Sequence, residues 1–92
     1  DPRYADAHTI LSRIARGFGL NGRARVSLRR AIELDRRRNW AYMELASLLA
    51  EDGQLVAALR VLDDFLLIEP EDESVLDLRE SLAVARAEPP SG

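Results

Sequence analysis

The chain has 92 residues, of which 47% are hydrophobic and 32% charged, and it has no cysteine. That is enough for one small folded domain, is too apolar for disorder, and excludes disulfides, thiolate zinc sites and cysteine nucleophiles. The net charge of −3 hides a gradient: residues 1–38 hold ten arginines against four acids, a net of +6, and residues 39–92 hold three against twelve, a net of −9.

Five helices are expected along the chain. The first covers residues 5–18, where Ala7, Leu11, Ile14 and Ala15 form one apolar stripe at spacing three to four. Gly17 and Gly19 end it. The second covers 22–34, with Asn21 as N-cap and a stripe of Ala24, Val26, Leu28, Ala31 and Ile32. Arg36-Arg37-Arg38 then form a polar turn. The third covers 40–51, capped by Asn39 and ended at Asp52-Gly53. The fourth, the most apolar segment, covers 55–68 and stops at Glu69-Pro70, because proline cannot continue a helix and disfavours helix in the residue before it. The fifth covers 73–87 with Asp72 as cap, and residues 88–92 read as a disordered tail. No basic segment leads into an apolar stretch at the start, and no apolar run is long enough to cross a membrane. Composition leaves the compartment open, leaning to the cytoplasm, and the exclusive use of arginine over lysine hints at a bacterial source.

The chain also repeats itself. Shifted by 34 residues, Leu11 falls on Leu45, Gly19 on Gly53, Ala24 on Ala58, Leu28 on Leu62, Leu34 on Ile68 and Asp35 on Glu69. A period of this length with apolar and small residues in register is the mark of stacked helical hairpins. The second unit reads Tyr42-x2-Leu45-Ala46-x2-Leu49, Gly53, Ala58-x3-Leu62, Pro70; the first reads His8-x2-Leu11-Ser12-x2-Ala15, Gly19, Ala24-x3-Leu28-x2-Ala31, with Arg36 in place of proline. This resembles the tetratricopeptide repeat (TPR) family. The first unit departs from it where His8 and Ala15 replace aromatics.

The resemblance implies an all-α, antiparallel helix-hairpin solenoid (a TPR-like α-α superhelix) of about 2.5 repeats. Residues 1–4 would end a preceding repeat, 5–38 and 39–72 would be complete repeats, and 73–87 a C-terminal capping helix. In that last helix Arg79-Glu80 stand where a buried Leu-small pair belongs. The chain is thus expected to be the C-terminal part of a longer array or multidomain protein.

It also implies a non-catalytic scaffold that binds a peptide or helix of a partner protein in a concave groove lined by the first helix of each pair. The groove residues would be Thr9, Arg13 and Arg16 with Asp6 at the mouth, then Trp40, Met43 and Ser47, then Ser74, Asp77 and Ser81. The strongest partner-binding candidates are Arg13, Arg16, Trp40, Met43 and Ser47. Arg13 and Arg16 share a helix face and can fork a carboxylate or phosphate. Trp40 reads either as a groove anchor or as packing on the turn near Arg36–Arg38, and Met43 either as an adaptable contact or as core. The lysines and asparagines of carboxylate-clamp repeats are absent.

No catalytic residue, cofactor or metal site is expected. His8, the single histidine, stands at a packing position, and the acidic clusters lack the spacing of a calcium loop. Arg36-Arg37-Arg38 is too short a run, in too acidic a chain, to indicate nucleic acid. Two other readings stand: homo-oligomeric self-assembly, with the basic first repeat on the acidic end of a neighbour, and an accessory domain of a larger, enzymatic protein.

Overall fold

The computed structural model describes the backbone of residues 2–87 and the side chains of that range except those of residues 2–6, 8, 9 and 12. The tail 88–92 and the readings placed on Asp6, His8 and Thr9 lie outside the described residues. The five helices are α1 (Pro2–Gly17), α2 (Asn21–Leu34), α3 (Asn39–Glu51), α4 (Leu55–Leu66) and α5 (Glu73–Ala87), and no strand occurs among the described residues.

The 34-residue period recurs in the backbone hydrogen bonds. After α1, Gly19 N–H donates to the Arg16 carbonyl at 2.9 Å and Leu20 N–H to Ala15 at 2.7 Å. After α3, Gly53 N–H donates to Ala50 at 3.0 Å and Gln54 N–H to Leu49 at 2.8 Å. These are the two bonds of a Schellman C-cap, and they demand a left-handed residue, which Gly19 (φ 75°) and Gly53 (φ 80°) supply. The second helix of each pair also ends alike: Asp35 N–H bonds Ala31 and Glu69 N–H bonds Phe65, each at 3.0 Å.

The helix starts differ from expectation. α1 begins at Pro2 rather than residue 5, since proline fits the first helical position, where its missing N–H needs no partner. Neither Asn21 nor Asn39 caps: the cap positions fall on Leu20 and Arg38, without a side-chain bond, and both asparagines lie inside their helices. Asn39 instead reaches across to α5, donating to the Asp72 carboxylate at 3.0 Å. Asp72 does cap α5, accepting the Val75 N–H at 3.0 Å. α4 stops at Leu66, two residues before its expected end, with Leu67 and Ile68 in the turn before Pro70.

α1 packs on α2, α2 on α3, α3 on α4 and α4 on α5, while α3 also touches α5. Connections of three to six residues reverse the chain between neighbours. The shortest dimension of the Cα trace is 15 Å, against 45 and 33 Å for the others. Two helix layers give about 13–15 Å, from an interaxial distance of roughly 8–10 Å and a Cα radius of about 2.3 Å. α1, α3 and α5 therefore form one layer and α2 and α4 the other.

The core is centred on α3, which buries Tyr42, Leu45, Ala46, Leu48 and Leu49 with Ala24 and Leu28 of α2, Ala58, Leu62 and Phe65 of α4, and Val75 of α5, and buries Ala41 separately against Ala31 and Ile32 of α2. The Tyr42 and Phe65 rings meet at 4.9 Å. α1 does not bury its predicted stripe. Ala15 packs on the core, but Leu11 and Ile14 are each 52% exposed and Ala7 is exposed. Val26 of α2 is likewise exposed. Among the described residues α1 packs on α2 and meets α3 through side chains, and no helix lies on the exposed part of its stripe. On α5, Val75 is buried and Leu78 and Leu82 pack on the core, while Leu76 points outward.

Candidate partner-binding face

The five residues singled out from the sequence lie on the layer made by the first helices of the two pairs. Arg13 and Arg16 project from α1; Trp40, Met43 and Ser47 come from α3, where spacings of three and four keep them on neighbouring faces. The Arg13 guanidinium lies 4.6 Å over the Trp40 ring, a cation–π stack that joins the two helices. Trp40 is half-buried, and the Arg13 guanidinium of α1 lies on its ring. Met43 is half-buried and packs one side against the core. Ser47 is half-buried. Ser74, Asp77 and Ser81 of α5 are exposed.

Two residues that sequence reasoning missed alter the electrostatics. Glu44 and Glu51 lie seven apart, two turns of α3, on one face. Arg16 bonds both, Nη1 to Glu44 and Nη2 to Glu51, each at 2.6 Å, and Arg13 approaches Glu44 at 3.7 Å. The guanidinium fork thus closes on carboxylates of the same chain. Two arginines and two glutamates enclose a polar hollow of about 420 Å³, completed by Gly17 and Asn21, whose formal charge is zero. The signal was present in the register: one period on from Arg16 is Ala50, and its neighbour Glu51 and the acid two turns earlier stand opposite α1.

The arginine turn is also drawn onto acids. Asp35 accepts the Arg37 backbone N–H at 3.1 Å and the Arg38 guanidinium at 3.0 Å, and Arg37 reaches Glu69 at 3.5 Å. The backbone N–H of Arg37, helped by Arg38, holds the Asp35 carboxyl below its ordinary range. Among the described residues no three His, Cys, Asp or Glu side chains gather as a metal site, and no helix is long and apolar enough to cross a membrane. A hollow of about 610 Å³ lies between the start of α4 and the end of α5, with Arg60 and Arg86 as the charged residues in its lining. No protein-family model matches the chain, and no curated protein matches its sequence.

Proposed function

We propose that this chain is a TPR-like helical scaffold whose α1–α3–α5 face binds a peptide or helix of a partner protein. The observation that carries the reading is the Arg13–Trp40 stack beside Met43 and Ser47, an aromatic anchor fixed on the common face of two helix pairs whose turns repeat bond for bond. A surface prepared by helix packing binds without first ordering itself, which is where rigid scaffolds gain affinity. Because Glu44 and Glu51 neutralise Arg16, the face is no anion clamp. It favours an apolar or aromatic side chain laid on Trp40 and Met43, with polar contacts at the rim.

The test is capture from source-cell extract with the wild-type chain and a Trp40→Ala/Ser47→Arg variant of equal helicity by circular dichroism. A protein held by the wild type and lost in the variant supports the reading. Equal capture by both places binding on another surface and overturns it.

A further inference from the structure

α2 and α4 both pack on α3 but not on each other. The seam between them lies on the layer opposite the Arg13–Trp40 stack, in the middle of the chain. Two adjoining hollows of about 390 and 210 Å³ run along it, both lined by Ile32 and Glu33 of α2, Tyr42 of α3 and Asp64 of α4. The larger falls within the size range of small-molecule sites, roughly 300–1,000 Å³. Its apolar wall continues into Leu67 and Ile68, which are 84% and 36% exposed. Beyond the end of the seam, Arg37 and Glu69 tie the turns after α2 and α4 together at 3.5 Å. Tyr42 lies beneath both hollows. It is only 5% exposed and its ring rests on Phe65, yet its hydroxyl makes no hydrogen bond among the described residues. A buried O–H without an acceptor opposes folding, and an acceptor from outside the chain would satisfy it.

The charges around that hydroxyl say what the acceptor belongs to. Burial raises its hold on the proton most; beyond that, Arg36 lowers it and Asp64 and Asp35 raise it, so the hydroxyl faces both signs. Asp35 is already bonded to Arg38, and Glu33 to Arg30. Arg29, Arg36 and Asp64 make no ion pair among the described residues. The lining of the two hollows, with Arg29 and Arg36 against Glu33 and Asp64, has a formal charge of zero. A simple anion would be repelled by Asp64 and a simple cation by Arg36. A molecule that carries both charges beside an apolar group suits all of the lining. We infer that the α2–α4 seam is a binding site for a free α-amino acid with an apolar side chain. Its carboxylate accepts the Tyr42 O–H and pairs with Arg36, its ammonium pairs with Asp64, and its side chain lies on Ile32, Leu67 and Ile68. The site is on the other layer from the Arg13–Trp40 stack, so it does not depend on the scaffold reading.

The probes are L-leucine and L-phenylalanine, titrated into the ¹⁵N-labelled chain and followed by amide shifts. Expected are saturable shifts concentrated at residues 29–36, 42 and 61–68. Glycine, which lacks the apolar group, and L-leucinamide, which lacks the carboxylate, bind about tenfold or more weakly than leucine; N-acetyl-L-leucine, which lacks the ammonium, binds about two- to fivefold more weakly. Tyr42→Phe lowers leucine affinity about tenfold, yet its thermal midpoint is unchanged or higher, because no hydrogen bond within the chain is lost. Arg36→Gln and Asp64→Asn, both at exposed positions, each lower affinity about two- to fivefold. Arg23→Gln, equally exposed on α2 and away from the seam, changes it by less than that. Three results overturn the inference: no saturable binding of either amino acid, blocked forms that bind as tightly as leucine, or a folded Tyr42→Phe chain that binds leucine as tightly as the wild type.

Discussion

Asp72 shows how much one side chain settles. It caps α5 through the Val75 N–H and receives the Asn39 amide from α3, so a single carboxylate ends the loop and ties two helices of one layer. Asp72→Ala removes both bonds and costs about 1–2 kcal/mol, whereas Asn39→Ala, which spares the cap, costs less than half of that; chemical denaturation of the two variants checks the order. The cap was legible in the sequence because an acid stood before a periodic apolar segment. The asparagine caps failed because Asn21 and Asn39 look like caps in isolation, while their helices begin one residue earlier than expected. Tyr42 gives a second residue-scale test. Burial raises its hydroxyl above the ordinary value near 10.0. The folded state then holds the phenolic proton more tightly than the unfolded chain. This contribution to stability is complete below pH about 10 and is lost as the pH rises through the raised value. In a Tyr4→Phe background, the ultraviolet titration of Tyr42 has its midpoint above 10 in the folded chain and near 10 in denaturant.

At the scale of the element, turns and periodicity were readable and burial was less so. Gly19 and Gly53 stood 34 apart, and each closes a helix with positive φ. A Cβ built at either meets no atom within 4 Å, so an alanine there suffers only the left-handed backbone. Gly53→Ala is expected to cost about 1–2 kcal/mol, about 4–15 °C in midpoint for a chain of this size, with no change in the native far-ultraviolet spectrum. Thermal melts measure it, and a loss of helicity before melting contradicts it. The stripe of α1 matched that of α3 in pattern yet not in exposure, since periodicity tells which residues share a face and not whether another helix lies on it. The repeat resemblance, rather than spacing within one helix, implied one face for Arg13, Arg16 and Trp40, and the Arg13 guanidinium lies over the Trp40 ring. Glu44 and Glu51 escaped notice because their role depends on the lateral match of α1 to α3, which a single helix's pattern does not contain.

Over the whole molecule the core is unequally shared. α3 buries six residues, whereas the described residues of α1 include none that is fully buried. α1 is held by its packing on α2, by Ala15, and by the bonds of Arg13 and Arg16 to α3. Regions with few buried contacts open at low free energy, before the fold as a whole. α1 should therefore exchange its amide hydrogens faster than α3 and α4. Arg16 is its main polar tie: its side chain and that of Glu44 are each 23% exposed, so the pair is less screened than one at an open surface. Arg16→Ala removes both bonds and leaves Glu44 half-buried with only the distant Arg13, a loss of about 1–2 kcal/mol. If α1 opens as its own unit, that loss appears as about a five- to thirtyfold rise in exchange within residues 2–17, while α3 and α4 keep their rates; 1 M salt moves the wild type the same way and the variant hardly at all. A uniform rise over all five helices would instead mean that the molecule opens only as a whole, with α1 bound into the same cooperative unit as the core.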